Sequence, residues 1–270
     1  MTRQSDINIK SPTNTRGCWI TDLAVLPGDL LLLADINNKS VKLADPVSGQ
    51  LLDQLQLPGL PHGLCLLPGD RAAATIQSKS LIQTISVANK KLVRQDVINV
   101  IGECFGIASV KDCFVVGLNS PAKVALVDRQ GSIYKATSED SQGKTLFKHP
   151  HYICVTTETA IQVIYVSDYG TKTITRLSVE LQVLQSFTDP ALNEPCGLVP
   201  VGGRQLLVVY PDFRSTLSVL DITTEQFMTL LGEKEDLNCT YCVAVSHTLG
   251  TVYVNDWVNG CDVIRQYTFK

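Results

Sequence analysis

The hydrophobic pattern of the chain is clearest between residues 163 and 178. There, two stretches rich in β-branched residues, Val163–Ser167 and Thr173–Ser178, flank a short polar segment. Two such runs joined by a turn signal are typical of a β-hairpin. Weaker copies of the same layout occur at Leu30–Ala44 and at Thr251–Tyr267. The sequence therefore predicts a protein built on a repeated hairpin.

Copies of this hairpin unit follow one another at a regular spacing. Leu64–Asp70 repeats the apolar run and the Pro-Gly-Asp ending of Leu23–Asp29, 41 residues later. Comparable apolar runs begin the other four copies, at Ile107–Val110, Tyr152–Val155, Leu198–Val201 and Val243–Val245. A repeat of about 40–45 residues with several short strands predicts one four-stranded blade of a radially repeated fold.

Six copies predict an all-β fold, a six-bladed β-propeller in which residues 1–270 form a single domain. The sixth copy lacks a fourth strand, and the alternating segment Asp6–Lys10 precedes the first copy. Pairing this N-terminal strand with the last blade would close the ring and remove an exposed sheet edge. We expect irregular structure at Thr137–Lys148. The predicted blades span about 18–58, 59–101, 102–147, 148–192, 193–237, and 238–270 together with 5–11.

Composition and charge restrict the classes of partner. The net charge is −3, with 44% hydrophobic and 18% charged residues, so no bulk attraction to DNA or to an acidic membrane is expected. No apolar signal segment follows Met1, and no apolar run approaches the roughly 20 residues that span a bilayer. Nine cysteines, mostly within apolar runs, are typical of buried reduced thiols. We therefore expect a cytoplasmic protein that binds neither membrane nor DNA.

Two short motifs recur within the repeats. Pro61-His62-Gly63 and Pro195-Cys196-Gly197 share a Pro-x-Gly opening, and Ala34-Asp35-Ile36-Asn37-Asn38 and Ser167-Asp168-Tyr169-Gly170-Thr171 share an acidic turn. In these motifs the chain resembles, over essentially its whole length, the NHL-repeat propellers of tripartite-motif (TRIM) proteins. The resemblance implies either the substrate-recognition part of a TRIM-type E3 ubiquitin ligase or a relative that lacks the ligase half. The RING domain of such a ligase would lie elsewhere, because closely paired Cys and His ligands for its zinc ions are missing here.

The pattern departs from the NHL motif in three copies. Thr75 and Gly117 stand where the turn aspartate is expected, and the fifth copy reads Tyr210-Pro211-Asp212. Where the aspartate is present, at Asp35, Asp168 and Asp256, we expect it to accept backbone hydrogen bonds within its own turn.

Aromatic residues recur at two positions of the repeat that we expect to share one face of the propeller. The first position, just before each inner strand, is occupied by Thr21, His62, Phe105, His151, Cys196 and Tyr241. The turns after the second strands add rings in three consecutive copies. Rigid aromatic anchors in turns are typical of binding hot spots. We predict that a protein partner binds through Tyr169, Phe213, Trp257, Tyr241, His151, Phe105 and His62. Alternatively, these rings pack between blades or plug the channel.

Basic residues of the same turns suggest a second ligand. One lies near the turn of each of five copies, namely Lys39, Lys79, Lys123, Lys172 and Arg214. A basic ring interleaved with aromatic side chains is typical of single-stranded RNA binding, and some NHL propellers bind RNA on this face. The alternative is a set of local ion pairs, Asp35 with Lys39 and Asp168 with Lys172, each contributing under about 1 kcal/mol.

A third hypothesis places chemistry at the channel. His62 and His151 occupy the same repeat position, and two imidazoles facing across the channel would suit a metal-dependent hydrolase or lyase. The other ring positions form a poor ligand set, however. Cys239-x-x-Cys242 is followed by a strand and lacks a second pair of ligands, so we interpret it as two ordinary thiols. We expect no metal, no cofactor and no catalytic activity.

Overall fold

The computed structural model of the chain describes residues 1–190, 192–202, 204–211, 215–235, 237, 239–257 and 262–269. Within these residues, the strands form six antiparallel sheets arranged in a ring. The inner strands of neighbouring sheets contact one another in chain order, and the first also contacts the last, which closes the ring. The predicted six-bladed β-propeller is therefore confirmed. The extent of each blade stays a prediction.

Each blade is built from consecutive strands that run from the channel outwards. Two short strands, β1 (Thr2–Arg3) and β2 (Ile7–Asn8), precede the first blade. The first three blades comprise β3 (Ile20–Val25), β4 (Leu31–Asp35), β5 (Ser40–Asp45), β6 (Gln50–Gln56); β7 (Pro61–Leu67), β8 (Arg71–Ile76), β9 (Leu81–Ala88), β10 (Lys91–Asn99); and β11 (Glu103–Val110), β12 (Cys113–Asn119), β13 (Lys123–Val127), β14 (Ile133–Thr137).

The second half of the ring continues this order. The fourth and fifth blades comprise β15 (Pro150–Glu158), β16 (Ile161–Asp168), β17 (Thr173–Ser178), β18 (Val183–Phe187); and β19 (Leu198–Gly202), β20 (Gln205–Tyr210), β21 (Thr216–Asp221), β22 (Gln226–Leu231). The sixth blade has β23 (Val243–Ser246), β24 (Thr251–Asn255) and β25 (Val263–Thr268).

The N-terminal segment supplies the outer position of the sixth blade. Ile7 pairs with Ile264, and Thr2 pairs with Thr268. Two short strands therefore cover β25, where the sequence predicted one strand within Asp6–Lys10. The Ile7 side chain is fully buried. This pairing confirms the predicted closure, since β25 would otherwise present unpaired backbone groups at a sheet edge.

Burial follows the position of each strand within its blade. Every residue of β4 is buried, whereas the outermost strand β10 buries only Leu92 and Ile98. Middle strands lie between two neighbouring blades and are covered on both faces, so they are almost continuously apolar. The described residues form six apolar clusters, one at each junction between adjacent blades. The core is thus a ring of inter-blade contacts.

The glycine of the Pro-x-Gly opening has a packing role. A Cβ atom on Gly63 would lie 2.6 Å from the carbonyl oxygen of Phe105 in the next blade. Gly106, at the same position of the third blade, would place a Cβ atom 2.7 Å from the His151 carbonyl oxygen. These distances are shorter than van der Waals contact. Glycine therefore allows neighbouring inner strands to approach closely at the channel mouth.

Helical structure in the described residues is limited to two short 3₁₀ helices, Gln77–Lys79 and Glu233–Glu235. In this part of the chain, no helix has both the length and the apolar character needed to cross a membrane. The irregular segment predicted at Thr137–Lys148 connects β14 to β15 and contains one isolated bridge, Glu139 with Thr145. Seven cysteines within the described residues are buried free thiols: Cys18, Cys65, Cys104, Cys113, Cys154, Cys196 and Cys242.

Candidate functional site

The positions before the inner strands come together around one mouth of the channel. There, residues from several blades line a cavity of about 220 Å³, which we call the aromatic pocket. Its lining residues are Trp19, Thr21, Ile36, His62, His151, Tyr152, Tyr169, Cys196 and Tyr241.

Tyr152 forms the floor of this pocket. Its hydroxyl group donates a hydrogen bond to the Thr21 carbonyl oxygen at 3.1 Å. Tyr152 belongs to the fourth blade and Thr21 begins the first, so the phenol ring spans the channel. The same ring borders the main channel cavity on its other side. Tyr152 therefore separates the aromatic pocket from the channel.

Four of the predicted face residues form a continuous stack across three blades. The Phe105 and His151 rings lie parallel, with centroids 4.4 Å apart and an interplanar angle of 6°. Tyr169 stacks on the other side of His151 with a centroid distance of 6.2 Å and an angle of 13°. His62 meets Phe105 edge-on at 5.0 Å. Offset stacking and edge contacts are the favoured geometries of aromatic pairs.

A second aromatic group joins the sixth blade to the first. The Trp19 ring lies 5.3 Å from Trp257 and 6.4 Å from Tyr241, measured between ring centroids. Sequence reasoning missed Trp19 because it considered only Thr21 in this blade. Trp19 lies two residues before that position, as His149 lies two residues before His151. The repeat spacing could have identified this outer ring of positions.

The side chains of the predicted face residues differ in their exposure to solvent. Tyr169 and Trp257 are 38% and 43% exposed, respectively. Tyr241 and His151 are half-buried. His62 and Phe105 are buried beneath them, so these two rings support the pocket and do not form its rim. Phe213 lies outside the described residues. The binding role of the group stays a prediction.

The two imidazoles of the pocket are neutral at physiological pH. Burial, together with the neighbouring His149, lowers the pKa of His151 to about 4. Burial also holds the pKa of His62 well below its usual range. Among the described residues, His62 Nδ1 and His151 Nε2 are buried without a hydrogen-bond partner. Since buried polar atoms are almost always paired, two orphaned nitrogens in one pocket mark a place where a ligand could bind.

The relative position of these imidazoles corrects one expectation. His62 and His151 do not face each other across the channel, because their ring centroids are only 5.3 Å apart. Within the described part of the chain, no three His, Cys, Asp or Glu side chains are grouped to hold a metal ion. Cys242 of the Cys-x-x-Cys pair is a buried free thiol whose pKa is raised by burial, which agrees with an ordinary core cysteine.

Glu194 supplies a negative charge at the pocket. It raises the pKa of the Tyr169 hydroxyl through charge and a hydrogen bond, and it also raises the pKa of Tyr241, where burial has the larger effect. Glu194 lies two residues before Cys196, at the repeat position of Trp19. Its backbone adopts a left-handed conformation with φ of 57°, which is costly for a side chain other than glycine or asparagine.

Two of the turn aspartates make the predicted hydrogen bonds within their own turns: Asp35 Oδ1 accepts the Asn38 N–H at 3.3 Å, and Asp168 Oδ1 accepts the Thr171 N–H at 2.7 Å. Asp35 Oδ1 accepts a hydrogen bond from the Trp19 backbone N–H at 3.1 Å, which fixes the start of the first inner strand. Asp168 Oδ2 accepts one from the His149 N–H at 2.9 Å. Asp256 forms an ion pair with Arg265. The Asp35 and Asp168 carboxylates therefore hold Trp19 and His149 in place at the aromatic pocket.

The basic residues do not occupy one equivalent position. Lys39 and Lys172 have left-handed backbones just before the third strands of their blades, whereas Ser80 occupies that position in the second blade. Lys39, Lys79 and Lys172 are exposed, and Lys123 is half-buried. Arg214 lies outside the described residues.

The expected ion pairs of these lysines do not form. Asp35 pairs with Lys42 at 2.8 Å, and Lys172 donates a hydrogen bond to Asn193 at 2.7 Å. Lys39 borders a separate cavity of about 520 Å³, which we call the basic pocket. Arg16 also borders it, and Trp19 and Ile36 line both pockets.

Beyond Tyr152, the inner strands of all six blades line a channel cavity of about 330 Å³. Asp22 projects a carboxyl group into this wall. Its oxygens accept hydrogen bonds from the backbone N–H groups of Leu64 at 2.7 Å and Leu23 at 2.9 Å. Burial nevertheless raises the pKa of Asp22 to about 7. The channel thus contains a carboxyl group that titrates near neutral pH.

Comparison with known proteins bears on the fold. No protein-family model and no curated protein matches the sequence. Among solved structures, a streptogramin B lyase is similar with a TM-score of 0.68 and 12% identity, over 98% of this chain and 87% of that one. The Myceliophteria thermophila Cps50 (Swd1) β-propeller domain has a TM-score of 0.63 and 13% identity, over 93% and 84%. Kuenenia stuttgartiensis hydrazine synthase has a TM-score of 0.63 and 11% identity, over 91% and 76%. At these identities, the similarities show that the chain has a β-propeller fold.

Proposed function

We propose that this chain is a non-catalytic recognition module that binds a protein partner through the face around the aromatic pocket. The observation that carries the proposal is the rim of Trp19, Tyr169, Tyr241 and Trp257 around a cavity with a closed floor. Partly exposed aromatic rings beside a preformed pocket are the usual anchors of protein interfaces. Since these rings are held by stacking contacts, little side-chain entropy would be lost on binding.

The repeat motifs suggest a biological setting for this module. The Pro-x-Gly openings and the acidic turns resemble those of NHL propellers in TRIM proteins. We propose on that basis that the chain selects substrates for ubiquitination, with the RING domain supplied by another region or chain. The glycine of the Pro-x-Gly opening lets neighbouring blades pack closely at Gly63. This packing role is the same whichever partner the propeller binds.

The partner-binding face can be tested by comparative capture. Proteins cross-linked to the immobilised wild type would be compared with those cross-linked to Tyr169→Ala and Trp257→Ala. We expect both variants to lose at least about tenfold in recovery of a specific partner, in keeping with hot-spot residues. Tyr134→Ala is the matched control, because Tyr134 is 60% exposed on an outer strand. Equal recovery by all four proteins would contradict the proposal.

Single-stranded RNA is the second candidate ligand, favoured by the basic pocket. Arg16 and Lys39 lie beside Trp19, so a base could stack on the ring while a phosphate pairs with the cations. This hypothesis predicts affinity that falls steeply with salt, with a slope of about −0.7 for each phosphate contacted. It further predicts that Lys39→Gln makes the slope shallower by about 0.7, the contribution of one phosphate contact. RNA binding that is absent at low salt would exclude it.

A channel-centred hydrolase or lyase is the third candidate. It is favoured by the two adjacent imidazoles with orphaned nitrogens, and one structurally similar protein carries the name of a lyase. The hypothesis predicts metal bound at stoichiometric level after purification and loss of that metal in His62→Ala. A metal content that is the same in wild type and variant would contradict it.

A further inference from the structure

We propose that the aromatic pocket receives an arginine side chain of the protein partner. This inference rests on the proposed function and specifies the chemistry that the partner must present. Three features of the pocket support it: its ring faces, the sign of the surrounding charge, and its unused hydrogen-bond acceptors.

The walls of the pocket are π-faces from separate blades. Trp19, Tyr169 and Tyr241 line the cavity, and the His151 ring lies parallel to that of Tyr169. The negative face of an aromatic ring attracts a cation, with tryptophan the strongest partner. Guanidinium is planar and weakly hydrated, so it stacks between such rings more readily than the strongly hydrated ammonium of lysine.

Among the described residues, the charged side chains outside the pocket that act on its tyrosine and His151 rings include two carboxylates, Glu194 and Asp168. Glu194 raises the pKa of both Tyr169 and Tyr241, and the Asp168 carboxylate acts on His151. The two imidazoles contribute no positive charge at neutral pH, because burial lowers their pKa values. Arg16 and Lys39 line the basic pocket, which Trp19 also borders, and the Lys172 ammonium group donates a hydrogen bond to Asn193. A cation is therefore the complementary ligand.

Hydrogen-bond acceptors distinguish arginine from other cations. No hydrogen bond fixes the tautomer of His62 or His151 within the described residues, so each neutral ring can offer an acceptor nitrogen. The Glu194 carboxylate adds further acceptors beside Tyr169. Guanidinium carries five N–H donors in a planar arrangement, whereas a trimethylated lysine has none.

The dimensions favour a single side chain. The cavity of about 220 Å³ is smaller than the roughly 300–1,000 Å³ of typical small-molecule and cofactor sites. The Tyr152 ring closes it towards the channel, so a ligand must enter from the exposed face. An extended side chain from a bound partner can do so.

Intrinsic fluorescence gives a direct measurement, because the two tryptophans of the chain, Trp19 and Trp257, both lie on this face. Capped Gly-Gly-Arg-Gly-Gly would be titrated into the whole chain. The same peptide with citrulline, which is isosteric with arginine and neutral, is the matched ligand. Peptides with lysine and trimethyllysine complete the series.

We expect the arginine peptide to bind at least about tenfold more tightly than the citrulline and trimethyllysine peptides. Glu194→Gln should weaken arginine binding about tenfold and leave citrulline binding unchanged. Trp19→Leu should abolish binding of both the arginine and the citrulline peptide. Circular dichroism would show whether that variant folds. Met228→Ala, at a 60% exposed position on an outer strand, is the protein control.

Other outcomes would overturn the inference in different ways. Equal binding of arginine and citrulline peptides, or tighter binding of trimethyllysine, would exclude recognition of arginine while leaving the pocket as a partner site. Absence of arginine binding to a folded wild type would also exclude it. The proposed function is tested separately, since it fails only if capture of the partner is unaffected by Tyr169→Ala and Trp257→Ala.

Discussion

The Lys42 ammonium group lies 2.8 Å from the Asp35 carboxylate, and both side chains are fully buried. Lys42 also donates a hydrogen bond to the Ile9 carbonyl oxygen at 2.9 Å, and its Nζ atom is 2.8 Å from the Cys18 sulfur. Asp35 in turn accepts the Trp19 N–H. One buried ion pair therefore connects the N-terminal closing segment to the turn that positions the aromatic pocket.

Breaking this pair should be costly. Removing one partner of a buried ion pair leaves an uncompensated charge, which destabilises a protein by about 3–5 kcal/mol. We expect Lys42→Met to lower the free energy of unfolding by this amount, measured by denaturant titration. Lys91→Met should change it by less than about 1 kcal/mol, because the Lys91 side chain, which pairs with Asp53 at 3.1 Å, is 65% exposed. Similar losses in the two variants would contradict the role assigned to Lys42.

Gly63→Ala tests the close approach of neighbouring blades. The added methyl group would lie 2.6 Å from the Phe105 carbonyl oxygen, so the backbone must shift. We expect a loss of about 1–3 kcal/mol, as for overpacked cores. Gly232→Ala is the matched control, because no atom lies within 4 Å of its added Cβ atom, and its effect should stay within about 0.5 kcal/mol. If Gly63→Ala and Gly232→Ala lower the thermal unfolding midpoint by the same amount relative to wild type, the packing argument is refuted.

Asp22 predicts a pH dependence of stability with a definite sign. Its pKa is raised to about 7 in the folded chain, whereas an unfolded aspartate titrates near 3.9. Between these values the folded state binds more protons, so the stabilising contribution is complete below about pH 4 and is lost as the pH rises through 7. Between pH 4 and pH 8, the free energy of unfolding of the wild type should fall by about 2–4 kcal/mol relative to that of Asp22→Asn. Parallel stability curves for the two proteins would show that Asp22 titrates normally.

The neutral state of the pocket imidazoles can be observed directly. The pKa of His151 is lowered to about 4, mainly by burial, so its ring signals in NMR should be unchanged between pH 8 and pH 5. The free energy of unfolding should fall as the pH drops from about 6.5 to about 4, because over this range the unfolded chain binds the proton and the folded chain does not. A midpoint between pH 6 and pH 7 would show that the ring is solvated, and it would remove one support for the arginine pocket.

Much of the fold was predictable because its determinants are local. The apolar, largely β-branched run in Val163–Ser167 and the acidic turn at Asp168 specify a hairpin within a few residues. Repetition of this unit specifies the blades and therefore the number of blades in the ring. The strand at Ile7 was predictable because the last blade lacked its own fourth strand. The ring position also predicted that His62, Phe105 and His151 would gather at one mouth.

The tertiary structure alone decided how these residues meet. The third hypothesis placed His62 and His151 opposite each other across the channel, but Tyr152 spans that space and the imidazoles lie side by side. The lysines of the turns were expected to pair with the turn aspartates, but Asp35 pairs with Lys42 from the next strand.

Sequence pattern therefore determined the secondary structure, the repeat and the face on which the aromatic residues lie. The contents of the pocket depend on distances between blades, which are set by close approaches such as that of Gly63 to Phe105. Trp19 and Glu194 reach the same pocket from the first and fifth blades, more than 170 residues apart in the chain. Local propensities act over a few residues, whereas ring closure brings such distant residues together, so this part of the site required the folded structure.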